Sequence, residues 1–210
     1  MSESVIQNFH HLKIHTQYSI CEGAAKIDDL QEYSKKKRLK SIGLCDTSNL
    51  CGALEFAEKI SKVGTQPIIG TQINFKYGDS IGLLPLFALD EEGYKRIIKL
   101  SSTSFLENDE LSDPHVKFTE LLDDNKGVAV FSGTIFGLFG KLFNKGKLNE
   151  ILDLYQKLKS NFGDRFYIEI QRHNDQNESD FEKFNLNKSL ELEIPIIATN
   201  EVFYLDKDMH

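Results

Sequence analysis

The chain has 210 residues, 40% hydrophobic and 27% charged, enough for one folded domain with a sizeable core. No apolar run approaches the roughly 18 residues that a membrane span needs, and Met1–His10 lacks the basic start and apolar stretch of a secretory signal. A formal net charge of −7 argues against a domain that grips nucleic acid by itself, because such affinity comes from neutralising phosphates.

Taken in chain order, short β-rich runs alternate with amphipathic stretches. His11–His15 reads as a strand, Ile27–Arg38 as a helix, Ser41–Cys45 as a strand and Gly52–Val63 as a helix. Strands follow at Pro67–Phe75 and Leu83–Leu89, then a helix over Glu91–Phe105 and a polar surface loop over Leu106–Pro114. Gly127–Phe131 is the next strand, Leu148–Asn161 a helix, Phe166–Gln171 a strand, Glu178–Leu192 a helix and Ile194–Thr199 the last strand. The dense cationic run Lys35-Lys36-Lys37-Arg38 falls at the end of a helix, where it is expected to be solvated. Cys21, Cys45 and Cys51 are an odd set without C-x-x-C spacing and read as reduced thiols of a cytoplasmic protein.

Short hydrophobic strands separated by helices predict a parallel sheet covered by helices, an α/β fold. Seven such strands in one domain, 1–210, favour a closed or nearly closed β/α barrel over an open doubly wound sheet. Gly137 and Gly140 do not follow a strand in the order a nucleotide fingerprint requires. In a β/α barrel, chemistry gathers at the C-terminal ends of the strands. Those ends carry His15, Asp46, Gln72, Ser132, His173 and Asn200-Glu201, a coherent set for a cleft. Ser19 and Ser132 have no general base at a predictable distance, so a serine nucleophile is unsupported. Asp46 and Asn49 are expected to cap the turn into the following helix, and Thr134 to bond a backbone group. Glu169 and Gln171 alternate with Ile168 and Ile170, placing one face in the core and the other along the barrel interior.

Read in order, those strand ends resemble the PHP domain that opens the alpha subunit of bacterial DNA polymerase III. The matching pieces are Phe9-His10-His11-Leu12-Lys13-Ile14-His15-Thr16-Gln17-Tyr18-Ser19, Glu22-Gly23-Ala24, Cys45-Asp46-Thr47-Ser48-Asn49-Leu50-Cys51-Gly52-Ala53 and Pro67-Ile68-Ile69-Gly70. Gly93-Tyr94, Phe131-Ser132-Gly133 and Ala198-Thr199-Asn200-Glu201-Val202 complete them. The resemblance implies a distorted seven-stranded β/α (TIM-like) barrel of PHP type. It also implies a barrel-mouth cluster of His, Asp, Glu and Cys which in active members holds two or three divalent metals and activates water against phosphate esters.

Carried over residue by residue, that cluster is depleted. The family's His-x-His falls on Lys13 and His15, and the Asp before Gly-Ala on Glu22. The His after the strand-two Asp46 falls on Thr47, and the Glu after strand three on Gln72. A later His falls on Leu83, the Cys or His after Ser-Gly on Thr134, and the final Asp-x-His on Glu201 and Phe203. Only His15 is identical, Glu22 and Glu201 keep a carboxylate, and the other positions have lost their ligand; His173 lies near the cleft without a ligand role. An ammonium 4 Å from a divalent ion is repelled by about 8 kcal/mol at an effective dielectric near 20. Lys13 is therefore expected to take the place of the metal among Glu22, Asp46 and Glu201.

The resemblance thus implies an N-terminal piece of a longer polymerase chain, ending at Asp208-Met209-His210, whose own metal site is degenerate and which has no catalytic residue. The implied cofactor is none, or at most one weakly held zinc or manganese on His15, Glu22 and Glu201. The implied partners are the rest of the alpha chain and an epsilon-type proofreading exonuclease subunit, with DNA reached only through the full-length enzyme. The rival readings are an active metal-dependent 3′–5′ exonuclease or phosphoesterase, opposed by loss of the His-x-His, and a stand-alone phosphatase, opposed by the Asp46-x-x-Asn49-Leu50-x-Gly52-Ala53 pattern.

Overall fold

The computed structural model describes residues 9–108 and 112–206, which form two compact units: residues up to Thr71 together with those from Asn200 onward, and Gln72–Thr199. The Asp208-Met209-His210 end and residues 109–111 of the expected loop lie outside the described residues.

The first unit holds β1 (Lys13–Ile14), α1 (Ile27–Lys37), β2 (Ser41–Thr47), α2 (Ala53–Lys62), the first half of β3 (Gln66–Tyr77) and β9 (Glu201–Val202). Its strands lie in the order β3-β2-β1-β9. β1 runs parallel to both neighbours, with Ile14 beside Leu44 and Val202, and Lys13 beside Glu201. α1 begins with Asp28 and Asp29 and ends with Lys35, Lys36 and Lys37, a charge order that suits the helix dipole. It stops where Arg38 adopts a left-handed conformation, with φ 51°. α2 buries Ala53, Phe56 and Ile60, a stripe at helical spacing. Lys59 of α2 bridges to Asp28 of α1 and to Glu55 in its own helix. The core of this unit is Ile14, Ala25, Ile27, Leu30, Ile42, Leu44, Phe56 and Ile60.

The second unit takes the rest of β3 and adds β4 (Ser80–Ala88), α3 (Glu91–Leu106), β5 (Val116–Lys117), α4 (Phe118–Asp123) and β6 (Val128–Phe131). It continues with α5 (Leu138–Asn144), α6 (Leu148–Phe162), β7 (Phe166–Ile170), α7 (Glu178–Leu192) and β8 (Ile196–Ala198). The strand order is β8-β7-β6-β4-β3, with β5 beside β3. Asp90 caps α3, its carboxylate accepting from Gly93 N at 2.8 Å. A side chain at Gly93 would collide with the Gly127 carbonyl 1.8 Å from its Cβ, so this helix start admits only glycine. Phe139, Tyr155 and Phe166 pack ring on ring, with centroids 4.7 and 5.7 Å apart.

All seven expected strands occur, and β5 and β9 are two short additions. The expected all-parallel sheet is corrected at one strand. β3 and β4 are joined by Gly78 and Asp79 alone, too short for a crossover helix, and β4 runs antiparallel to β6. The short helices α4 and α5 are absent from the sequence-based expectation, because six and seven residues give too few turns for a periodic pattern.

Candidate functional site

Side chains alternate across a strand, so Lys13 and His15 leave β1 on the same side. Lys13 is 1% exposed, and its Nζ lies 2.7 Å from Glu201 Oε1, the residue beside it in the β1–β9 register. His15 is fully buried and stacks on Phe203, with ring centroids 4.5 Å apart and planes 16° from parallel. Its Nδ1 lies 3.9 Å from Glu22 Oε2 and its Nε2 lies 3.8 Å from Glu201 Oε1; among the described residues Nε2 makes no hydrogen bond. Burial works against the Glu201 carboxylate, but the His15 imidazole and the Lys13 ammonium outweigh it and hold its pKa down at about 2.

Asp46 does different work from that expected. Its Oδ1 accepts from Thr16 N at 2.6 Å and from Ser19 Oγ at 2.8 Å, and its Oδ2 accepts from Thr16 Oγ1 at 2.8 Å. It therefore clamps the loop after β1, and α2 begins at Gly52 with no side-chain cap. Asn49 shares the loop work: its amide donates to the Tyr18 and Thr47 carbonyls, and its oxygen accepts from Cys51 N. Glu22 accepts from Thr47 Oγ1 at 2.6 Å. Of the three acids expected around the Lys13 ammonium, Glu201 lies at ion-pair distance from it, while Asp46 and Glu22 accept from hydroxyl and backbone donors.

The first unit thus brings together Lys13, His15, Glu22, Asp46, Thr47, Glu201 and Phe203. Gln72, Thr134 and His173 belong to the second unit. Gln72 is buried. Thr134 Oγ1 accepts from Phe136 N, the backbone bond expected of it. His173 Nε2 lies 3.2 Å from Gln171 Oε1, and its backbone N–H donates to the Glu178 carboxylate. Leu83 lies in β4. Glu169 is buried at 2% exposure and Gln171, just past the end of β7, at 7%, so the polar residues here are hidden as well as Ile168. Thr199 Oγ1 and Gln171 Nε2 both donate to Glu169 Oε1. Thr16, Ser19 and Thr199 have structural roles that the sequence alone does not single out. Their signal is weak, a small hydroxyl one or a few residues past a strand end. Among the described residues, no group of three or more His, Cys, Asp or Glu side chains is arranged to hold a metal ion. Cys21, Cys45 and Cys51 form no disulfide among the described residues.

The sequence profile of the PHP domain matches residues 11–173. This chain belongs to the PHP domain family. Relatives of this PHP domain are named DNA polymerase III subunit alpha. That of Rickettsia felis is 36% identical over 203 residues, covering 96% of this chain and 17% of the relative. Those of Caulobacter vibrioides and Borreliella burgdorferi are both 32% identical, covering 97% and 95% of this chain and 18% of each relative. The PHP domain therefore spans less than a fifth of the length of these relatives. A solved structure from Bifidobacterium adolescentis, described as a candidate metal-dependent phosphoesterase, superposes with a TM-score of 0.61 at 12% identity. The match covers 95% of this chain and 93% of that one, and it fits the expected α/β fold class, a distorted β/α barrel of PHP type. Among the described residues, no helix is long and apolar enough to cross a membrane.

Proposed function

We propose that this PHP domain is part of a DNA polymerase III alpha subunit, a DNA-directed DNA polymerase of chromosome replication, and that the domain itself is a non-catalytic structural and docking module. One observation carries the second half: a buried ammonium, Lys13 Nζ, sits 2.7 Å from Glu201 where the family places a metal-binding histidine. A divalent ion beside Glu201 would face that ammonium at close range in a poorly screened site, and the repulsion would cancel about as much as one carboxylate's attraction supplies. The residues present do not fit a two- or three-metal cluster, because Gln72, Leu83, Thr134 and Phe203 supply neither an anionic nor an imidazole ligand.

In this reading the domain acts through its surfaces, in the cytoplasm. It buttresses the rest of the alpha chain, docks an epsilon-type proofreading exonuclease subunit, and meets DNA only within the full-length enzyme. The rival is a metal-dependent 3′–5′ exonuclease, favoured by the retained His15, Glu22 and Glu201. Metal content by mass spectrometry after purification without chelators, alongside a manganese- or zinc-supplemented nuclease assay on a primer end, separates the two. The expected result is no stoichiometric metal and no cleavage. Two equivalents of metal with nucleotide release would replace this proposal with the exonuclease. Co-elution with an epsilon-type subunit tests the docking role, and separate elution removes it.

A further inference from the structure

We infer that the second unit carries a phosphate-binding cleft, walled by Lys95, Arg96 and Lys99 of α3 and by Lys126 in the turn before β6. The cleft goes beyond the proposed function and depends on neither the metal-site nor the docking reading. It measures about 360 Å³, and Glu92 and Asp124 complete its lining. Residues 92, 95, 96 and 99 recur at spacings of three and four, so they share one side of the helix. Four cations against two acids leave a local charge of +2, in a chain whose formal net charge is −7. A positive cleft on an acidic molecule selects anions, and this surplus matches one dianionic phosphate group or two successive phosphodiesters.

The walls are fixed by the protein's own contacts. Arg165 donates to the Asn125 and Val128 carbonyls and to Asn125 Oδ1, holding the turn that carries Lys126. Gly127, next to Lys126, has a left-handed φ of 65°, and its carbonyl accepts from Leu89 N at 2.8 Å. It lies so close to Gly93 and the Asp90 cap that no side chain fits there, which sets Lys126 against the first turn of α3. Arg96 is anchored from the other wall, its Nη2 donating to the Glu120 carbonyl of α4. Its Nε is shielded from solvent and makes no hydrogen bond among the described residues. A shielded donor without an acceptor is costly, and an anionic oxygen is the acceptor that suits a guanidinium best. Lys95 is bridged to Glu91 at 2.6 Å, whereas Lys99 and Lys126 take part in no ion pair among the described residues, so their charge is not already answered. The planar fork of one arginine beside ammonium point charges fits phosphate oxygens. Glu92 and Asp124 can accept from hydroxyls on the group that bears the phosphate.

The test titrates the chain with inorganic phosphate at low ionic strength and about pH 8, where phosphate is a dianion, and follows the backbone amide resonances. Saturable shifts are expected at Lys95, Arg96, Lys99 and Lys126 in the millimolar range, and acetate at equal ionic strength should move them far less. Lys99 and Lys126 are both exposed, so Lys99→Gln combined with Lys126→Gln should leave Tm unmoved. The double variant should weaken phosphate binding about tenfold, while Lys157→Gln, on α6, changes nothing. Should Lys126→Gln lower Tm by disturbing its turn, Lys99→Gln alone decides, with an expected loss of about threefold. Glu92→Gln removes a repelling charge and should tighten binding. The cleft is overturned by the absence of saturable shifts, by acetate acting as strongly as phosphate, or by charge-removing variants that bind as tightly as the parent. Competition separates the two sources of the phosphate group. Displacement by a short thymidine oligonucleotide lacking terminal phosphates assigns the cleft to a strand backbone, and displacement by thymidine monophosphate alone assigns it to a free phosphate monoester.

Discussion

Each unit buries a carboxylate near the end of a strand, and the two are handled differently. In the first unit Glu201 faces an ammonium and an imidazole. In the second, Glu169 is held by the Thr199 hydroxyl and the Gln171 amide, and its own backbone N–H donates to Ser132 Oγ at 2.9 Å. An ion pair neutralises a charge but depends on both partners. Neutral donors spread the charge over several bonds and tolerate the loss of one. The first arrangement balances the acid with a fixed cation from the neighbouring strand. The second is polar packing of Glu169 on a strand that also leaves Tyr167 and Ile170 half-buried. The difference teaches that this fold balances a buried acid in two ways, with a fixed cation or with neutral donors.

The largest expected effect breaks this comparison directly. Glu201→Gln removes the carboxylate 2.7 Å from the buried Lys13 ammonium and should cost about 3–5 kcal/mol. Glu169→Gln keeps an oxygen able to accept from Thr199 and Gln171 and should cost about 1 kcal/mol. Denaturant midpoints of the two variants against the parent measure the gap. Equal losses would mean that Lys13 contributes nothing special.

A second expectation uses the pH dependence of the same pair. Glu201 has a folded pKa of about 2 against an ordinary 4.5, so it binds its proton less readily in the folded state. Its contribution is fully present above about pH 5 and is lost as pH falls toward 2, amounting to roughly 3 kcal/mol across that window. Urea melts at intervals from pH 6 to pH 2 should show the gap between parent and Glu201→Gln narrowing on acidification. A gap of constant width would show that the carboxylate's charge is not what stabilises the folded chain.

Much of this is legible in the sequence, for identifiable reasons. The long helices α1, α2, α3, α6 and α7 announce themselves because apolar residues recur with helical period, as Phe56 and Ile60 do. The expected depletion of the cluster rests on the family resemblance, which sets Lys13, Thr47 and Phe203 at ligand positions. Less can be read where the partner is distant in sequence. The Lys13–Glu201 contact is expected only through the family resemblance, because it needs the register of two strands far apart in sequence, which no local pattern encodes. The antiparallel β4 escapes the sequence reading because its run Leu83-Leu84-Pro85-Leu86-Phe87 looks apolar in either direction. Only the two-residue turn Gly78-Asp79 betrays a hairpin. Asp46 reads as a helix cap because Asp before a helix usually is one. Its donors, Thr16 and Ser19, lie on the preceding strand's loop and compete successfully for it.

That same aspartate gives the smallest expected effect. Asp46→Asn retains one oxygen, and Oδ1 is the position that must keep it, because Thr16 N and Ser19 Oγ both donate there. The amide nitrogen then takes the place of Oδ2 and meets Thr16 Oγ1, a hydroxyl that can turn and accept instead. What is lost is the extra strength of bonds to a charged acceptor, about 1 kcal/mol. Thr16→Val removes that escape and forces the new side-chain amide at position 46 against a methyl group. The double variant should therefore lose more than the two single losses added, whereas with Asp46 in place Thr16→Val removes only one of the carboxylate's three donors. A double-mutant cycle on melting free energies reads the difference. Strict additivity would mean that the clamp seen between Asp46 and Thr16 is not cooperative, and that the loop after β1 is held chiefly by its backbone bond from Gln17 N to Ala25 O.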